Sequence, residues 1–218
     1  MSATSADLDW SDPNRDGHRS SSEATGHGEG GPAPKRIVTA YGFWIFLLSD
    51  IIMFSAFFAA YAVLVHATAG GPTGRQLFNL TNAGVETACL LASTFAAGMA
   101  LTAASVRNAL WTQVSLLVTG LLGFVFITLE VSEFAHMIAH GAGPSRSAFL
   151  SAFFSLVGLH GLHVSAGLLW LGTMMAQIWA KGFRADIMRR LLCFTLFWHA
   201  LDIIWVALFT MVYLLGAR

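Results

Sequence analysis

Residues 37–66 read IVTAYGFWIFLLSDIIMFSAFFAAYAVLVH, with Asp50 as the single formally charged position. A helix of that length rises about 45 Å at 1.5 Å per residue, enough to cross a hydrocarbon core of roughly 30 Å with tilt to spare. Further runs of the same character occupy 83–106, 113–138, 148–180 and 191–215, divided by short stretches carrying Gly, Pro, Asn or Arg. Such long runs without period-two alternation exclude a closed β-barrel. The expected fold is therefore all-α: a polytopic membrane bundle of five transmembrane helices (residues 36–218) behind a disordered N-terminal tail (residues 1–35).

Composition agrees. Of 218 residues, 56% are hydrophobic and 11% charged, and mean hydropathy is +0.64; soluble domains carry roughly a quarter charged residues. Twelve basic and twelve acidic residues cancel, so no long-range field recruits nucleic acid, and partners must be recognised by packing. The tail is rich in Ser, Gly, Asp and His and cannot bury enough apolar surface to offset its ordering entropy. Its His18 and His27 are too isolated for a metal tract. The first apolar run is too long for a cleaved leader, so the first helix doubles as targeting signal. Cys89 and Cys193 lie inside apolar runs and read as small core residues.

Lys and Arg in short flanks set orientation. Lys35, Arg36, Arg107, Lys181, Arg184, Arg189 and Arg190 fall on one side, against Arg75, Arg146 and Arg218 on the other. The tail is accordingly expected in the cytoplasm and the C-terminus, after an odd number of spans, in the periplasm.

Polar residues within the spans need partners, because a charge at the bilayer centre costs at least about 2.5 kcal/mol on insertion scales. Asp50, Glu86, Glu130, Glu133 and Asp202 are the acids; no Lys or Arg falls in the apolar cores, which leaves His160, His163 and His199 as complements. Glu130 and Glu133, His160 and His163, and His199 and Asp202 are each three apart, so each pair shares a helix face expected to point inward. Interhelical hydrogen bonds within such a buried polar cluster are the simplest reading. A carboxylate metal site is a poorer one, since Glu-x-x-His on paired helices is absent and only Glu133 and His136 approach it. A haem between His160 or His163 and His199 stays open on composition alone.

Trp44, Tyr41, Trp111, Trp179 and Tyr213 sit near span ends, where aromatic side chains anchor to the interface. Trp198 and Trp205 flank His199 and Asp202 and are suited either to line that cluster or to face a partner helix. Ala92, Ala96, Ala100 and Ala104 recur at i, i+4, a pattern that lets a neighbouring backbone approach. The stretch GGPTGR (70–75) lacks Walker spacing and its Lys, and reads as a turn; Asn79-Leu80-Thr81 matches a glycosylation acceptor, a frequent chance pattern. No nucleophile and base form a recognisable catalytic motif.

The segments GFWIFLLSD (42–50), FFSLVGLHGLHV (153–164) and FWHALDIIW (197–205) together resemble subunit III of the haem-copper terminal oxidases, over about Tyr41 to Gly216. The GGPTG turn, the GAGPSRS loop (141–147) and the five-helix length are most similar to the branch serving cytochrome bo-type ubiquinol oxidases. Larger members have two further helices at their start, and many carry Glu where Asp50 stands. The resemblance implies an accessory, non-catalytic subunit of a complex of the bacterial inner membrane that oxidises ubiquinol, reduces dioxygen to water and translocates protons. It implies no cofactor in this chain, a pair of haems and copper in subunit I, and as partners subunits I, II and IV and phospholipid. Asp50, Glu86, His160, His163, His199 and Asp202 are its matching polar positions. A cytochrome c oxidase subunit III and a proton-coupled transporter are the alternatives; neither repeats nor paired Gly/Pro breaks favour the transporter.

Overall fold

The computed structural model describes residues 35–70 and 80–214. Residues 1–34, with His18 and His27, lie outside them, as do residues 71–79, with most of the GGPTGR turn, Arg75 and Asn79, and residues 215–218, with Arg218. The helices are α1 (Lys35–Leu64), α2 (Leu80–Ser105), α3 (Ala109–Ala139), α4 (Ala148–Lys181) and α5 (Ala185–Leu208), the last continuing into a π-helical segment, π1 (Phe209–Leu214). Among the described residues, five spans are long and apolar enough to cross a membrane, with α5 and π1 counting as one. Four helices begin earlier than their apolar runs: α1 at Lys35, α2 at Leu80, α3 at Ala109 and α5 at Ala185. Polar residues at their starts account for α3 and α5. Asn108 accepts from the Trp111 N–H and caps α3, and Asp186 in the first turn of α5 complements the helix dipole.

The last four spans form a ring in which α2 packs on α3 and α5, and α4 packs on α3 and α5. Small side chains make this possible. Ala96, Ala97, Ala100 and Ala104 are buried on α2, facing a strip of α3 that buries Thr112, Ser115, Thr119 and Gly123. Ala92, expected in that stripe, is exposed, and Ser93 is buried in its stead. The reason is the helical period of 3.6, from which a strict four-residue repeat drifts.

Two tryptophans of α5 fill the ring. Trp198 lies over Gly123 of α3 and Gly167 of α4, where an added Cβ would fall 3.0 and 2.8 Å from its ring. Its indole N–H donates to Ser93 of α2 at 3.0 Å. Trp205 packs edge-on to Phe126, with ring centroids 4.6 Å apart, and donates to the Thr87 hydroxyl at 3.0 Å. Both indoles therefore point inward, and neither lines the His199–Asp202 pair.

From Thr39 onward α1 makes one narrow seam, burying Leu47, Phe54 and Tyr61 at seven-residue spacing. Its ring contacts run Phe43 to Trp170, Phe54 to His163 and Tyr61 to Phe149, an antiparallel match to α4. It is the least buried span and α5 the most.

Candidate functional site

The expected polar residues divide into separate groups. Glu86 on α2 and Glu130 and Glu133 on α3 come close enough to interact electrostatically, and Tyr213 joins them by a hydrogen bond to Glu133. Glu130 fits against α4 because residue 161 is glycine: a Cβ there would stand 2.7 Å from Oε1. Tyr213 arrives through π1, whose wider turn buries the consecutive residues Val212 and Tyr213. Such π segments often mark functional sites. Both carboxylate oxygens of Glu86, Oε2 of Glu130 and Oε1 of Glu133 are buried without a hydrogen-bond partner among the described residues. Carboxyl and phenol oxygens so gathered can share protons through hydrogen bonds.

His160 precedes Gly161, against which Glu130 packs. It is fully buried and neither ring nitrogen has a hydrogen-bond partner among the described residues. Aromatic rings enclose it: Trp205 at 5.1 Å, Phe126 at 5.7 Å and Phe54 at 6.3 Å. His163 instead sits half-buried on the side of α4 that meets α1, its Nδ1 2.8 Å from the Leu159 carbonyl. Asp50 is half-buried on the α1 seam, between Leu47 and Phe54 along the helix.

A third group occupies the middle of α5. Asp202 is close to His199 and to the Thr94 hydroxyl of α2, and its Oδ1 is buried without a hydrogen-bond partner among the described residues. The His199 Nδ1 is held 2.7 Å from the Thr195 carbonyl. The inward orientation expected for this pair is only partial. His199 and Asp202 line a cavity of about 520 Å³ opening outward between α2 and α5. Among the described residues no three His, Cys, Asp or Glu side chains converge as metal ligands.

Two residues with roles here escaped the sequence reading. Tyr213 looked like an interfacial anchor yet is buried at the acids; the four-residue repeat Trp205, Phe209, Tyr213 was the available signal. Thr94 carried no signal, since a lone Thr in an apolar helix usually bonds its own backbone. The other proposed anchors, Tyr41, Trp44, Trp111 and Trp179, are exposed, Cys89 is half-buried, and Cys193 is buried.

The sequence matches the family of cytochrome c oxidase subunit III over residues 17–217. Among similar proteins, cytochrome bo(3) ubiquinol oxidase subunit 3 of Pseudomonas aeruginosa is 54% identical over 82% of this chain and 86% of that protein. The Pseudomonas putida protein of the same name is 48% identical over the same shares, 82% and 86%. Quinol oxidase subunit 3 of Bacillus subtilis is 38% identical, over 80% of this chain and 86% of its own length.

Proposed function

The chain belongs to the cytochrome c oxidase subunit III family, and from that premise we propose that it is the accessory third subunit of a proton-pumping, cytochrome bo-type ubiquinol oxidase. The carrying observation is the 54% and 48% identity, over about four-fifths of the chain, to proteins named as that subunit. In this reading subunit I holds the haems and copper, where ubiquinol electrons reduce dioxygen to water, and subunits I, II and IV together with phospholipid surround this chain. Residues 36–218 form the membrane domain in the bacterial inner membrane, with the tail of residues 1–35 in the cytoplasm and the C-terminus in the periplasm.

The chain's own part is structural. His160 is poorly placed as a haem ligand, because aromatic rings fill the space around it. The acids, Tyr213 and the indole hydrogen bonds fix how α2, α3 and α5 meet.

A tag on the N-terminal tail tests the proposal. Gentle purification is expected to yield a haem-bearing complex that oxidises a short-chain ubiquinol and leaves reduced cytochrome c untouched. Oxidation of cytochrome c instead would move the chain to the cytochrome c oxidase branch. A Soret band at one haem per isolated chain would overturn the accessory role.

A further inference from the structure

We propose that the C-terminal end of α3 carries a binding site for a divalent transition cation, held by the imidazoles of His136 and His140.

The two histidines stand four residues apart and so share one helix face. His136 lies in the last turn of α3 and His140 is its C-cap; both are exposed. Their rings already meet, with centroids 4.2 Å apart and planes tilted by 34°. Two imidazoles on successive turns are the spacing by which a helix grips zinc in metalloproteases. His140 is set for that role. Its Nδ1 stands 2.8 Å from the His136 carbonyl oxygen, which can only accept, so in the neutral ring Nδ1 carries the proton and Nε2 keeps its lone pair. Metal-binding histidines give their other N–H to a carbonyl or carboxylate in this way, which fixes tautomer and ring orientation together. His136, exposed beside it, is free to turn about its side-chain bonds and bring a nitrogen to the same ion.

The chemistry of the donors selects the occupant. Neutral imidazoles suit Cu²⁺, Ni²⁺ and Zn²⁺, whereas Ca²⁺ and Mg²⁺ take oxygen ligands. Since no third His, Cys, Asp or Glu converges among the described residues, the chain supplies two ligands and water completes the coordination. Such a site exchanges its ion with solution. The helix adds attraction, because its C-terminal carbonyls form the negative pole of the macrodipole. Charge in the flanks assigns this end of α3 to the periplasm, where an ion arrives without crossing the membrane. Once bridged, His136 and His140 cross-link the last turn of α3, a place where helices otherwise fray.

The test uses the chain as purified from membranes with its accompanying subunits. Exposed histidines are carbethoxylated with diethyl pyrocarbonate and located by peptide mass, with and without a graded series of Zn²⁺. Zinc is the probe because copper read as belonging to subunit I would obscure added Cu²⁺. It is expected to slow modification of His136 and His140 together and to leave His66, exposed just past the end of α1, unchanged. His136→Gln should raise by about tenfold or more the Zn²⁺ needed to protect His140, because a chelate loses the effective concentration of its second arm. His140→Gln should do the same to His136. Labelling of both histidines that Zn²⁺ leaves undiminished overturns the site, as does failure of either to label in its absence. Protection of His140 that survives unchanged in His136→Gln, or equal protection of His66, would show single histidines binding independently and would overturn it too.

Discussion

Trp198 reaches three neighbouring helices, α2, α3 and α4, from one position on α5. Its ring occupies a slot made by Gly123 and Gly167, and its N–H reaches Ser93. Overpacking such a slot costs on the order of 1–3 kcal/mol, because neither backbone nor ring can yield freely. Gly167→Val should therefore lower the thermal midpoint at which the chain leaves its complex by several degrees. It should also speed alkylation of buried Cys193 severalfold, read by mass shift with N-ethylmaleimide. Gly172→Ala is the control, since an added Cβ there meets nothing within 4 Å; equal effects of the two would refute the slot. At this scale the intramembrane acids and histidines were legible from cost alone, because charge in an apolar run demands explanation. Their grouping was not. Residues three apart share a face, but whether that face meets Glu86, a ring of aromatics or open bilayer depends on neighbours distant in sequence. His160 and His163 make the point, one enclosed between α4 and α5 and the other on the side toward α1.

Among the elements, the spans were legible because hydropathy over some 20 residues is a strong signal. Their ends were not, because a helix runs on past its apolar stretch to a polar start such as the Asn108 cap. The π-helical end of α5 had no sequence mark, although it decides where Tyr213 goes. That geometry is testable through Tyr213→Phe, which removes the hydroxyl bonded to Glu133 and retains the ring. A bond of this kind is worth about 1 kcal/mol net, and more is lost when a buried carboxyl is left without its partner. The expected result is a lower unfolding midpoint with full subunit content and unchanged quinol oxidation at ordinary temperature. Should Tyr213→Phe instead abolish turnover while stability holds, the phenol belongs to a proton path and not to helix packing.

Over the whole molecule, orientation is the property least visible in a helix bundle, since packing alone does not distinguish inside from outside. Flanking charge does. In the short flanks of the spans, seven Lys and Arg residues fall on the tail side and three on the other, and Lys35 and Arg36 stand where the first span begins. If the tail's composition supports no packed core, as expected, the basic pair at the start of the first span is what holds the orientation. Deleting residues 2–34 while keeping Lys35 and Arg36 should leave insertion and assembly nearly intact. Lys35→Glu with Arg36→Glu should place part of the first span wrongly. The readout is an engineered cysteine in a background of Cys89→Ala and Cys193→Ala, labelled in intact cells by a maleimide that cannot cross the inner membrane. Ser145→Cys, in the loop between α3 and α4, should label; Ser20→Cys, in the tail, should not. Because one reversed helix would frustrate the antiparallel seam of α1 with α4, the double charge variant should also lose assembled oxidase. Labelling of Ser20→Cys in otherwise unaltered chains would reverse the orientation, and loss of the oxidase on deleting residues 2–34 would make the tail a docking element.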